Sequence, residues 1–222
     1  MGAGRIVTSH GVNGDRSMPA MTTTTHKPPR LYTYVPSPIG RLLLCGDEAR
    51  LTGLYTLPAA ENRELLDGRR RASAPFVHVR DQLEAYFAGE LVEFDVTLDL
   101  DEATPFRRSV WTALLEIPYG ETVSYGELAR RLALPSAARA VGAANGRNPI
   151  SIIIPCHRVI GSSGDLTGYA GGLERKRYLL RHEAEVRPGP RPRDPAVAQR
   201  AGDAGAEQRR RARIVLRPPA LR

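Results

Sequence analysis

The chain has 222 residues, 41% of them hydrophobic and 25% charged, with a formal net charge of +8 at pH 7. Such a composition belongs to an ordinary globular protein and excludes a collagen-like or wholly disordered one. No apolar run is long enough to cross a bilayer and no basic-then-apolar leader opens the chain, so a cytoplasmic protein with no membrane partner is expected.

Cys45 and Cys156 are the only cysteines. Two cannot make a disulfide framework, and they lack zinc-type spacing, so no metal is expected. No cofactor is expected either. The charge is unevenly spread. Residues 1–30 carry a net +3, 31–103 a net −6, 104–186 a net +4 and 187–222 a net +7. An acidic front half therefore precedes a basic back half, and the back half suits an anionic partner.

Residues 1–30, with the Thr22–Thr25 run, Pro28-Pro29 and no apolar periodicity, read as a disordered extension. Short β-rich runs follow at Leu31–Val35, Arg41–Gly46 and Leu51–Leu57, punctuated by Pro36-Ser37-Pro38-Ile39-Gly40 and by Asp47-Glu48. The spacing predicts a helix over Pro75–Ala88. Alternating Phe94, Val96 and Leu98 predict a strand over Glu93–Leu98. Residues 31–103 thus form a small α/β domain.

Residues 104–186 open on Thr104-Pro105, a helix cap followed by proline, after which Phe106, Val110, Leu114 and Ile117 recur at helical spacing. Ser124-Tyr125-Gly126-Glu127 is a capping box that opens a helix to about Leu132. A second helix runs from Ala137 to about Asn145, and the pair makes a helix-turn-helix candidate. An extended run Ser151–Ile154, the tetrapeptide Pro155-Cys156-His157-Arg158, a glycine-rich loop Gly161–Gly172 and a helix Leu173–Glu185 complete this block. Residues 187–222, with ten arginines against three acids, read as a disordered, solvated Arg/Pro/Ala-rich tail.

Cys156 stands beside an imidazole and a guanidinium, neighbours that favour the nucleophilic thiolate. The tetrapeptide alone fits a buried structural cysteine equally well. Cys45, on an apolar strand, reads as packing. Taken alone, Glu183 is a solvated acid in a last helical turn, Tyr125 a half-buried aromatic, and Asn148 an Asn-Pro turn residue.

The wider string decides more. Arg139-Ala140-Val141-Gly142, Asn148-Pro149, Pro155-Cys156-His157-Arg158-Val159, Gly168-Tyr169-Ala170-Gly171-Gly172 and Arg181-His182-Glu183 resemble the active-site half of the methylated-DNA–protein-cysteine methyltransferases, in their bacterial single-protein form. The resemblance is strong over about 104–186 and general over 31–103. It implies an α+β fold: a small β-rich, ribonuclease-H-like N-terminal domain plus a mostly helical C-terminal domain with a helix-turn-helix. It also implies repair of double-stranded DNA by a monomer that moves the alkyl group of O6-alkylguanine onto Cys156, once and irreversibly. Larger alkyl groups and O4-methylthymine are further candidate substrates.

In that reading His157 is the base, acting through a water and oriented by Glu183. Tyr125 donates to the departing purine and Asn148 ties the helix-turn-helix to the active-site loop. The O6 atom of a stacked guanine cannot reach a buried thiol, so the nucleotide must be flipped out. Arg139 would fill the space it leaves. Ser124, Ala138, Ala140, Gly142 and Ala143 would face the minor groove, where small side chains permit a close backbone approach. Val159, Tyr169, Ala170, Gly171 and Arg158 would line the guanine pocket. Some relatives carry a zinc site in the front domain, which Cys45 alone cannot supply, and some carry Ser where Ala170 stands.

Three other classes use the same features. A recognition-only alkyltransferase-like protein would lack the acceptor that Cys156 supplies. A cysteine hydrolase would need an oxyanion-hole segment that is not recognisable here. A helix-turn-helix regulator would need sequence-specific binding to unmodified DNA.

Overall fold

The computed structural model describes residues 30–56, 63–186 and 215–216. Most of the expected disordered termini lie outside these residues. Two tail residues do not: Val215–Leu216 form a short strand, contrary to the expectation of an unstructured tail.

The front half is a mixed sheet. Strands β1 (Leu31–Val35), β2 (Leu42–Gly46) and β3 (Leu51–Tyr55) form an antiparallel meander, with Tyr32 opposite Cys45 and Leu44 opposite Leu54. All five residues of β2 are buried, as suits a central strand written Leu-Leu-Leu-Cys-Gly. The β2–β3 turn is set by Asp47, whose Oδ1 accepts from the N–H groups of Ala49 and Arg50, each at 2.9 Å. A four-residue helix α1 (Arg63–Leu66) leads to β4 (Arg70–Arg71), parallel to β1. On the other side β3 pairs with β5 (Thr97–Leu98). The tail strand, Val215–Leu216, pairs with β5 in turn, both contacts being parallel. Helix α2 (Val77–Ala88), entered through a 3-10 turn at Ala74–Phe76, ends at Gly89 in the left-handed region.

The predicted strand Glu93–Leu98 is shortened to its last two residues. Its alternation is real, since Phe94, Val96 and Leu98 are all buried. The backbone bonds, however, go to a helix side chain. Gln82 accepts from the Asp95 N–H at 2.7 Å and donates to the Asp95 carbonyl at 2.9 Å, replacing ladder partners.

The back half is helical. Helix α3 (Pro105–Leu115) is capped by Thr104, whose hydroxyl accepts from Arg107 N–H at 3.3 Å. Helices α4 (Tyr125–Arg131) and α5 (Ala138–Asn145) form the helix-turn-helix, joined through a 3-10 turn at Pro135–Ala137. Only half of the expected capping box forms. Ser124 Oγ accepts from Glu127 N–H at 3.0 Å, but the Glu127 carboxylate pairs with Arg130 and Arg131. Helix α6 (Leu173–Glu185) matches its expected bounds. A two-stranded parallel ribbon, β6 (Val123–Ser124) with β7 (Val159–Ile160), was not legible in the pattern.

Backbone bonds join the two halves beside the cysteine turn. Leu54 N–H donates to the Pro149 carbonyl at 2.8 Å and Ser151 N–H to the Leu54 carbonyl at 2.9 Å, which joins β3 to the segment before Cys156. The apolar core runs through both halves without interruption, from Leu31 and Leu44 to Leu114, Ile154 and Leu179.

Candidate active site

Cys156 opens a 3-10 turn, Cys156–Arg158, that all three residues spend buried. The segment leading into it is not the extended run its β-branched composition suggests. Ser151–Ile154 is a succession of turns, with Ile154 N–H donating to the Ile150 carbonyl at 3.0 Å and Ile152 at φ 72°. A left-handed β-branched residue is a strained one and persists only where its surroundings over-determine it.

Asn148 supplies much of that determination. Its Nδ2 donates to the Ile154 carbonyl at 2.8 Å and its Oδ1 accepts from Ile150 N–H at 3.0 Å, so one side chain braces both ends of the turn. From α5, Asn145 Nδ2 donates to the Cys156 carbonyl at 3.3 Å, and Trp111 Nε1 of α3 donates to the Ala144 carbonyl at 2.9 Å. The helix-turn-helix and the cysteine turn are thereby held in one register.

Behind the turn lies a buried carboxylate with five donors. Glu183 Oε1 accepts from His157 Nε2 at 2.8 Å, Tyr86 Oη at 2.8 Å and Arg158 Nη2 at 3.1 Å. Its Oε2 accepts from Arg158 Nε at 2.8 Å and Gly120 N–H at 3.1 Å. Burial works against the charge, yet the His157 and Arg158 donors outweigh it and hold Glu183 well below the usual carboxylate range. Burial dominates for the imidazole and lowers its pKa despite Glu183, so His157 is neutral at pH 7 and its Nε2–H is the proton donated. The other ring nitrogen, Nδ1, is buried with no hydrogen-bond partner among the described residues. Burial also pushes the Cys156 thiol up, against the opposing pull of Asn148 and Lys176, so the sulfur rests protonated.

The remaining expected site residues fall into two groups. Tyr125 starts α4, its ring packed over Gly142 and its hydroxyl donating to the Thr167 carbonyl at 3.1 Å. Val159 and Tyr169 are buried beside the cysteine turn. At Gly171 any side chain must displace a neighbour: a Cβ there would collide with Thr56 Oγ1 and lie 2.7 Å from Tyr169 Cε1. Ala170 is exposed. Arg158 differs from its expected place in a pocket lining, because its guanidinium is committed to Glu183 and to the Ile117 carbonyl, 2.6 Å from Nη1. On the outer surface, Arg139, Ala140 and Ala143 are exposed along α5, with Ala138, Gly142 and Ser124 half-buried. The Arg139 side chain makes no hydrogen bond or ion pair among the described residues, which leaves its charge to solvent.

Two surface clefts, of about 270 and 520 Å³, lie in the front half and at its seam with α3, and neither is lined by Cys156. Among the described residues no group of three or more His, Cys, Asp or Glu could hold a metal ion, and no helix is long and apolar enough to cross a membrane.

Two family models match the chain: the ribonuclease-like domain of 6-O-methylguanine DNA methyltransferase over residues 31–100, and the DNA-binding domain of the same family over 105–185. The chain belongs to the 6-O-methylguanine DNA methyltransferase family. It is 55% identical over 157 residues to the methylated-DNA–protein-cysteine methyltransferase of Mycobacterium bovis, an alignment that covers 71% of this chain and 94% of the relative. The Methanosarcina acetivorans protein of the same name is 53% identical, over 68% and 97% of the two chains. Among solved structures, the Mycobacterium tuberculosis O6-methylguanine methyltransferase superposes with a TM-score of 0.68 at 53% identity, covering 72% of this chain and 96% of that one. The same protein solved in complex with DNA gives 0.65, also at 53% identity. The ribonuclease-like front domain and the DNA-binding back domain expected from the sequence are those of the family.

Several side chains of this methyltransferase's buried network escape a reading of motifs. Lys176 is fully buried, donating from Nζ to the carbonyls of Val159 at 2.6 Å and Thr167 at 2.7 Å. Lys176, Leu179 and Glu183 make up the buried stripe of α6. Two charges at core positions of an amphipathic helix were a signal available in the sequence. Tyr86 and Gly120 carried none.

Proposed function

We propose that this methyltransferase repairs double-stranded DNA directly, by transferring the alkyl group of O6-alkylguanine to Cys156 in one irreversible step. The observation that carries this reading is the Cys156–His157–Glu183 arrangement: a buried thiol followed in the same 3-10 turn by a neutral imidazole whose Nε2–H is held by an ionised carboxylate.

The chemistry follows from the protonation states. The thiol proton passes, through a water, to His157 Nδ1, and Glu183 stabilises the imidazolium that forms. Sulfur attacks the alkyl carbon, an S–C bond forms as the C–O6 bond breaks, and the electron pair leaves with guanine. Tyr125, whose hydroxyl is a donor at the mouth of the loop, protonates or hydrogen-bonds the departing purine. Asn148 holds the cysteine turn against α5, and Val159, Tyr169, Ala170 and Gly171 line the base pocket. The product is a thioether that neither water nor a thiol resolves, so one protein repairs one lesion.

Access comes from the helix-turn-helix. The small residues Ala138, Ala140, Gly142 and Ala143, with Ser124, fit a close approach to the minor groove, and Arg139 occupies the stack when the lesion is flipped out. Residues 31–103 and 104–186 act as the two domains of a cytoplasmic monomer in this reading.

The test is intact-protein mass spectrometry of excess protein mixed with a duplex carrying one O6-methylguanine, with peptide mapping. The expected result is a single methyl on Cys156, never more than one per protein and absent from Cys156→Ser. Tight binding of the lesion without methyl gain would make this a recognition protein instead.

A further inference from the structure

The front half reaches the Glu183 carboxylate through a tyrosine hydroxyl. Tyr86, on α2, is fully buried, and its hydroxyl lies 2.8 Å from Glu183 Oε1, ninety-seven positions along the chain. A buried tyrosine hydroxyl needs an acceptor, and backbone carbonyls are the commonest. Here the acceptor is the carboxylate oxygen that also receives His157 Nε2. We propose that Tyr86 is a positioning residue for the transfer reaction, sharing Glu183 Oε1 with His157 and fixing how strongly that oxygen pulls on the imidazole proton.

The inference rests on the transfer reading above, in which neutral His157 accepts the thiol proton. The charged and titratable groups around the imidazole are Glu183, Arg158 and Lys176, and those around the carboxylate are His157, Arg158, Tyr86 and Tyr119. Arg158 and Gly120 satisfy Oε2, so Tyr86 and Arg158 Nη2 are the two donors that compete with His157 at Oε1. Each donor to a carboxylate stabilises its ionised form and lowers its basicity. Without the Tyr86 hydroxyl, Oε1 binds the His157 proton more strongly and favours the imidazolium. The imidazole then holds a proton at pH values where it should be free to accept one.

Tyr86→Phe removes the hydroxyl and keeps the ring, which packs among Phe87, Phe94, Tyr119 and His182. The single-turnover rate of methyl transfer from an O6-methylguanine duplex to Cys156 is followed against pH. For the variant we expect a rate roughly three- to tenfold lower at neutral pH, as for loss of part of a general-base effect. The acid limb should also move to higher pH, with binding to unmodified duplex unchanged. Phe94→Leu trims a ring whose centroid is 5.5 Å from that of Tyr86 and leaves the hydroxyl bond in place. It should lower Tm while leaving the acid limb where it is.

An NMR titration of the His157 ring in wild type and Tyr86→Phe needs no substrate, and its midpoint should rise in the variant. A wild-type rate profile for Tyr86→Phe overturns the proposal. So does an equal shift of the acid limb in Phe94→Leu, which would reduce Tyr86 to packing. A wild-type protein that moves no methyl at all defeats the transfer reading itself, whatever the His157 titration shows, and the two failures are thereby separated.

Discussion

Arg158 and Glu183 meet through two nitrogens of one guanidinium, Nε at 2.8 Å from Oε2 and Nη2 at 3.1 Å from Oε1, with both side chains buried. The third nitrogen is spent on the Ile117 carbonyl, so the guanidinium has no role left at a pocket wall. Removing one partner of such a pair strands the other charge in a low-dielectric interior. Arg158→Met is expected to cost about 3–5 kcal/mol of stability, read as a shift of the urea midpoint at constant slope. A loss below about 1 kcal/mol would place this pair with exposed ones and contradict the burial argument.

Stability should fall in acid over two pH windows. The folded His157 midpoint lies below its ordinary 6.5, chiefly through burial, and Glu183 lies below its ordinary 4.5 because His157 and Arg158 outweigh its burial. In both cases the unfolded chain binds more protons across the gap, so stability falls as pH falls. The loss begins below 6.5 from His157 and deepens below 4.5 from Glu183. Cys156 is raised above 9.0 by burial, so the unfolded chain loses that proton first and stability also declines on the alkaline side. Denaturant midpoints measured against pH check the shape, and His157→Asn should flatten only the upper part of the acid decline.

Gly171 and Thr56 tie the Gly161–Gly172 loop to the end of the front sheet. A Cβ at 171 meets Thr56 Oγ1 and the Tyr169 ring, so Gly171→Ala overpacks the contact and should cost about 1–3 kcal/mol. Thr56→Ala removes one of the colliding atoms. The double variant should therefore be more stable than the sum of the two single losses, a coupling that a double-mutant cycle measures directly. Strict additivity would mean that the loop simply moves away.

A substitution at Arg139 should separate access from chemistry. If its side chain offsets even ~1.4 kcal/mol of the unstacking cost, Arg139→Ala loses about tenfold in transfer from duplex DNA. Transfer from the free O6-methylguanine base, which needs no flipping, should stay at the wild-type rate. Equal losses on both substrates would show that the helix surface shapes the active site rather than the DNA.

Local signals carried the elements whose bonds are local. The Thr104 cap, the Ser124 hydroxyl on Glu127 N–H and the bounds of α6 were all legible, because each depends on residues a few positions apart. The failures share one cause. At Glu93–Asp95 and Ser151–Ile154 the β-branched and alternating patterns were present, but side chains, Gln82 from α2 and Asn148 from just upstream, took backbone bonds that strands would have used. Within the site, the motif residues Cys156, His157 and Glu183 stood out, while Tyr86 and Gly120 did not. Nothing near Tyr86 in sequence marks a partner ninety-seven positions away.

A single bridge joins Leu54 of β3 to the Pro149–Ser151 stretch ahead of the cysteine turn, and the core is continuous across the seam. The two family domains should accordingly melt as one cooperative unit, with calorimetric and van't Hoff enthalpies in agreement. Neither half could then be inherited, trimmed or swapped as an independent module: cutting between them would expose a sheet edge on one piece and release the strained Ile152 turn on the other.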